Sequence, residues 1–145
     1  MYNRYLITGA TGFLGRAIVE KLVRRNVRVD ALVLHNDPYA ALLPGEVHTV
    51  TGDVCEDDSL ERFFAGADDK TCVIHCAGII SVASRSGSKL YQINIGGTCK
   101  VVRQCLEHHI GKMIYVSSVH AIPEKPKDCI ITEDCEFSPG LVDGD

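Results

Sequence analysis

The 145-residue chain has no run of 18 or more apolar residues, so no segment reads as a membrane-crossing helix. No secretory leader is expected, because Met1-Tyr2-Asn3-Arg4 runs straight into an apolar segment. A cytoplasmic location is the default expectation. Basic clusters are missing too: 15 Lys and Arg are scattered among 19 Asp and Glu, for a net charge of −4. That balance excludes a surface built for nucleic-acid phosphates. Seven cysteines are present, an odd number, with no Cys-x-x-Cys pair among them. Cys72, His75 and Cys76 resemble a ligand set on paper, but in a strand positions 75 and 76 point to opposite faces. The thiols therefore read as small hydrophobes, and no metal site is expected. No repeat, low-complexity tract or Gly-x-Ser-x-Gly elbow occurs.

What is present is an ordinary globular composition, 46% apolar and 23% charged. A length near 150 residues predicts one domain with a core large enough to fold without staples. Residues 4–8 (RYLIT) form a short apolar run. From Phe13 to about Asn26 the period changes: Leu14, Ile18 and Leu22, with Val19 and Val23 beside them, predict one face of a helix. VRVDALVL (27–34) predicts a second strand and VHTVTG (47–52) a third, joined by a Pro- and Gly-punctuated connection. Asp58-Ser59-Leu60-Glu61 reads as a capping box opening a short helix that stops at Gly66. TCVIHCAG (71–78) is a continuous apolar run, as in a strand buried on both faces. A long helix is predicted near 89–109, with Leu90, Ile93, Val101, Cys105 and Leu106 inward, and then a fifth strand at 112–118. Strands alternating with helices predict an α/β fold, a doubly wound parallel sheet. After Val119 the texture shifts. Residues 121–145 hold Pro123, Pro126, Pro139 and seven acidic residues without periodicity, which is uncommon inside a finished domain. The expected division is a folded domain at 1–120 and an irregular segment at 121–145.

The strongest signal is Thr8-Gly9-Ala10-Thr11-Gly12-Phe13-Leu14-Gly15, which follows a predicted strand and opens a predicted helix. In that context Gly9 permits the tight turn, Gly12 lets backbone approach a pyrophosphate, and Gly15 lets the helix pack close to its strand. The phosphates would meet a helix N-terminus, where free N–H groups and the dipole favour anions. A dinucleotide site is the expectation.

With its leading Thr8, the Gly-x-x-Gly-x-x-Gly spacing resembles the extended short-chain dehydrogenase/reductase family, whose members include NAD-dependent epimerases, dehydratases and dihydroflavonol reductases. Further matches follow in order: Gly52-Asp53-Val54, His75-Cys76-Ala77-Gly78, Asn94-Ile95-Gly96-Gly97-Thr98, and Ser117-Ser118. The resemblance covers residues 4 to 118 and implies a Rossmann fold. It implies a phosphate cradle at Thr8, Gly9, Thr11, Gly12, Phe13, Leu14 and Gly15. Asp53 would bind the adenine amino group, helped by the Val54 backbone, although Asp after a strand is also common in plain turns. Cys76, Ala77 and Gly78 would lie where the cofactor crosses the sheet. Asn94 would hold active-site backbone and a water, or else be an exposed helical residue. Ser118 would be the catalytic Ser, with Ser117 among the cofactor contacts.

Cofactor choice stays open between NAD and NADP. The end of the second strand offers neither the Asp or Glu of an NAD enzyme nor the Arg of an NADP enzyme. Asp37 has plausible spacing for NAD, whereas His35 and Arg16 could face a 2′-phosphate. The family's general acid, the Tyr of a Tyr-x-x-x-Lys pair, has no match here, since the last tyrosine is Tyr115. The chain therefore reads as the cofactor-binding half of an oxidoreductase, inert by itself, with a small carbonyl or sugar-nucleotide-like substrate and a homo-oligomer as open partners. The alternative is a dinucleotide-sensing module without turnover. A flavodoxin-like signalling domain would not need the three glycines.

Overall fold

A computed structural model describes residues 1–80, 87–118, 122 and 129–135. The chain divides into two compact units, Met1–Tyr115 and Val116–Asp145. In the first unit the order is β1 (Arg4–Thr8), α1 (Phe13–Val23), β2 (Arg28–Val33), a 3₁₀ turn (Ala40–Leu42), β3 (His48–Thr51), α2 (Asp57–Phe64) and β4 (Thr71–His75). Then come α3 (Gly87–Tyr91), a π-helical turn (Gln92–Gly97), α4 (Thr98–Glu107) and β5 (Lys112–Tyr115). In the second unit, a turn closes with the Cys135 amide donating to the Thr132 carbonyl. Most of 121–145, including Lys125, Lys127 and Pro139, lies outside the described residues, as does His120.

The five strands form one all-parallel sheet in the order β3-β2-β1-β4-β5, the doubly wound Rossmann arrangement. Alternation along each strand splits the core into two layers. Ile7, Val29, Ala31, Val33, Cys72 and Ile74 meet Val19 and Leu22 of α1 on one side. Leu6, Leu32 and Val73 meet Leu60, Phe63 and Phe64 of α2 and Val101 and Cys105 of α4 on the other. β4 is buried at all five positions, as its unbroken apolar run implies. Cys72 and Cys76 face the α1 side, while His75 turns to the other layer, where it meets Thr98 of α4. The paper ligand set is thus split by the sheet.

Four local readings need correction. The inward face of α1 runs through Gly15, Val19 and Leu22, and Leu14 is exposed. The helix packs at Gly15, whose missing side chain lets it touch the Gly9–Ala10 turn after β1, and Leu14 faces outward. The capping box is reversed: α2 starts at Asp57 with Glu56 as its N-cap, and Ser59 at the third position donates to the Glu56 carboxylate at 2.6 Å. Asp58, the expected cap, therefore lies inside the first turn rather than before it. The long helix is not continuous. The π turn at Gln92–Gly97 divides it, and Leu106 is exposed rather than inward. β5 ends at Tyr115, short of the serines.

Candidate active site

The C-terminal ends of β1, β2 and β4 and the loop after β3 surround a cleft of about 250 Å³. It lies where the strand order reverses between β1 and β4, the position at which open α/β sheets bind ligands. Its floor is built by the turn between β1 and α1. Gly9 has φ +68°, and a Cβ there would lie 2.7 Å from the Ala77 nitrogen. Gly15 is more confined, since its Cβ would fall 2.1 Å from the Gly9 oxygen. Gly12 differs: it lines the cleft, and a Cβ would meet only the Gly9 oxygen at 3.3 Å.

Gly12 is also the N-cap of α1, whose first rung runs from the Arg16 amide to the Gly12 carbonyl at 3.0 Å. The amides of residues 13–15 precede that ladder, and no acidic residue occupies the first turn. This is an anion cradle made of backbone. Phe13 and Leu14 have only their amides to offer such a site, because both side chains are exposed and neither lines the cleft.

Thr11, Gly9, Gly12, Asp53, Val54, Cys76, Ala77 and Gly78 line the cleft together. Asp53 is both turn and wall, since its Oδ1 accepts the Cys55 amide at 2.9 Å. Beside it, desolvation and this carboxylate push the Cys55 thiol pKa up. Asn94, on the π turn, donates to the Ile79 carbonyl and accepts the Ile79 amide, both at 2.9 Å. It ties down the loop after β4. Thr8 is wholly buried behind the cleft. His35 is exposed and lines a neighbouring groove with Arg62 and Glu56 instead. Ser117 and Ser118 are exposed and belong to the second unit.

Several wall residues carry no motif. Leu32 and Leu34 close the β2 side, with Ile79 and Ile93 opposite. Only the apolar run of β2 could have pointed to the first pair. Asp37 also lines the cleft, and its carboxylate accepts the Thr11 hydroxyl at 2.7 Å and the Tyr39 amide at 2.9 Å. Among the described residues the cleft walls thus hold two carboxylates, Asp37 and Asp53, and no Lys or Arg.

A dinucleotide fits this arrangement. The N-terminus of α1 opens at the cleft edge without an acidic residue, Gly12 leaves the floor free of a side chain, and apolar walls flank it. Among the described residues no group of three or more His, Cys, Asp or Glu could hold a metal ion. None of their helices is long and apolar enough to cross a membrane.

The family model described as 3-beta hydroxysteroid dehydrogenase/isomerase matches residues 6–139. Human 3 beta-hydroxysteroid dehydrogenase type 7 is 32% identical over 130 residues, covering 85% of this chain and 34% of that protein. The 3 beta-hydroxysteroid dehydrogenase/Delta 5-->4-isomerase of vaccinia virus is 28% identical over 147 residues, covering 95% of the chain and 41% of that protein. The chain thus spans about a third to two fifths of the length of these curated relatives. Among solved structures, the UDP-glucose 4-epimerase of Thermus thermophilus in complex with NAD superposes with TM-score 0.83 at 25% identity, over 95% of this chain and 45% of that one.

Proposed function

This chain belongs to the 3-beta hydroxysteroid dehydrogenase/isomerase family, and from that premise we propose that its cleft binds NAD as part of an oxidoreductase. The observation that carries the reading is the backbone cradle of residues 9–15 opening onto the cleft at the sheet's switch point. The amides of residues 13–15 would hold the diphosphate, Asp53 and Val54 the adenine end, and Ala77 and Gly78 the nicotinamide end. The nicotinamide supplies a hydride acceptor or donor. This chain's residues bind it, orient it and exclude water from one side.

NAD is favoured over NADP because the described residues of the walls present Asp37 and Asp53 and no cation. A 2′-phosphate near Asp37 would meet like charge. The family's name favours a secondary hydroxyl on a steroid as the substrate class. Sugar-nucleotide epimerase chemistry is the second reading, supported by the fold shared with an epimerase in complex with NAD. Ser118 is the proposed substrate-oxygen partner by its motif alone. Turnover also needs an acid, and none of the five tyrosines is followed four positions on by Lys. We therefore expect cofactor binding without turnover from these 145 residues.

Titration with NADH and NADPH in one buffer, followed by cofactor fluorescence, tests the reading. Tighter binding of NADH, lost in Gly12→Val, is the expected result. Absence of binding to either cofactor by the folded chain overturns it, and turnover by these residues alone would show that the acid has been misassigned.

A further inference from the structure

His75 closes β4 and is wholly buried. Burying an imidazole is tolerable only if both ring nitrogens find partners. Nδ1 lies 2.6 Å from the Thr8 hydroxyl and Nε2 lies 3.0 Å from the Thr98 hydroxyl. The directions of these bonds follow by elimination. Thr98 donates its only hydroxyl proton to the Asn94 carbonyl at 2.7 Å. Toward His75 it can therefore only accept, so Nε2 carries the ring hydrogen. A neutral ring has one such hydrogen, so Nδ1 accepts from the Thr8 hydroxyl. Thr8 in turn accepts the Ala77 amide at 3.3 Å.

The result is one unidirectional chain: Ala77 N–H to Thr8, Thr8 to His75, His75 to Thr98, Thr98 to the Asn94 carbonyl. It joins β1, the end of β4 and the π turn. Its two ends hold the same stretch of cleft wall. Ala77 is held through Thr8, and Ile79 is held by the Asn94 side chain. Tyr115 of β5 stacks on the imidazole face with ring centroids 5.7 Å apart. A histidine that merely filled space would need none of this order.

We propose that His75 is a positioning residue of the dinucleotide cleft: fixed as the Nε2–H tautomer between Thr8 and Thr98, it sets the backbone of residues 77–79 over which the cofactor passes. The ligand rests on the cofactor reading above, whereas the geometry stands without it. In the opposite tautomer Thr8 would receive two hydrogens, and Nε2 and Thr98 would face each other without a proton between them.

The test uses the ¹⁵N-labelled 145-residue chain and the variants Thr98→Val, Thr98→Ser and His75→Phe. Imidazole ¹⁵N–¹H correlation spectra at neutral pH report the tautomer, amide exchange reports Ala77 and Ile79, and NADH titration reports the cleft. The expected result is an Nε2-protonated ring in the wild type. Thr98→Val should speed Ala77 exchange and weaken NADH binding about tenfold, the scale of one buried hydrogen bond, with the fold retained. Thr98→Ser, which keeps the hydroxyl, should restore both. A wild-type ring protonated at Nδ1, or Ala77 exchange unchanged in folded Thr98→Val and His75→Phe, overturns the proposal. Should His75→Phe not fold, the near-isosteric Thr98 pair decides. If the wild type binds no dinucleotide, the ligand is refuted, and tautomer and exchange still decide the positioning role.

Discussion

The three glycines between β1 and α1 divide by what a side chain would meet. At Gly15 a methyl group would collide with backbone at 2.1 Å, and backbone cannot step aside. Gly15→Ala should destabilise the unit by on the order of 3 kcal/mol, read as a lower denaturant midpoint. Gly12→Val has only a 3.3 Å neighbour and an ordinary φ of −72°, so the midpoint should hold while cofactor affinity is lost. If both variants lose stability equally, the cradle has been wrongly divided. Asp37 offers a second test at this scale. Asp37→Ser removes a charge from the cleft, and NADPH binding should improve relative to NADH by about tenfold, within the range of one charge pair at partial screening. An unchanged ratio would place the 2′ position elsewhere. His75 adds a pH dependence. Desolvation lowers its pKa from 6.5 to about 4, so between those values the unfolded chain binds a proton that the folded chain refuses. Stability from the neutral buried ring is complete above pH 6.5, falls as pH drops toward 4, and is flat below, by at most about 3 kcal/mol. Urea midpoints of wild type and His75→Phe across that window should diverge in slope, and parallel slopes would contradict it.

Between elements, the clearest ionic tie joins α2 to α4. Asp57 accepts from both Lys100 and Arg103, and hydrogen bonds from these two hold its carboxyl below the usual range. The pairing contributes above the ordinary aspartate pKa and is lost as pH falls through the lowered one. The carboxylate is half exposed, so the effect is modest and screened. Asp57→Asn should lower the thermal midpoint slightly at low salt, and the difference should vanish near 1 M salt, where the Debye length is about 3 Å. A deficit that persists in salt would mean that packing, not charge, was disturbed. The π turn works at the same scale. By inserting one wider turn between α3 and α4, it brings Asn94 to Ile79 and lets Gly97 lie against Val54, where a Cβ would come within 2.7 Å. Wider helical turns of this kind gather at functional sites.

At the scale of the whole molecule, among the described residues β5 pairs only with β4 and leaves Ile114 and Tyr115 exposed, while α4 exposes Val102 and Leu106. An uncovered edge with apolar side chains is a template for association. Sedimentation should show concentration-dependent self-association of the 145-residue chain, reduced by Leu106→Glu, and a monomer at all concentrations would refute this. The single parallel sheet and its two-layer burial were legible beforehand. β4 reads as an unbroken apolar run and is buried throughout, and the period change at Phe13 marks the strand-to-helix switch. The errors fell at ends and faces, as at Leu14, Asp58 and Leu106, where a neighbouring element and not the local period decides where a helix starts and which side is covered.

The sequence by itself determined the alternation of strands and helices and the cradle of residues 9–15. Both follow from backbone geometry over a few consecutive residues: a period, a turn, and places where no Cβ fits. Only the tertiary structure decided how the cleft is held. Thr8 meets His75 across 67 residues because the parallel register sets them side by side. Thr98 reaches the same ring across 23 residues, and Asp37 reaches Thr11 across 26. Hydrogen bonds are directional and short, so these pairings exist only once strand register, helix rotation and the π turn bring the atoms within about 3 Å. No local pattern carries that information.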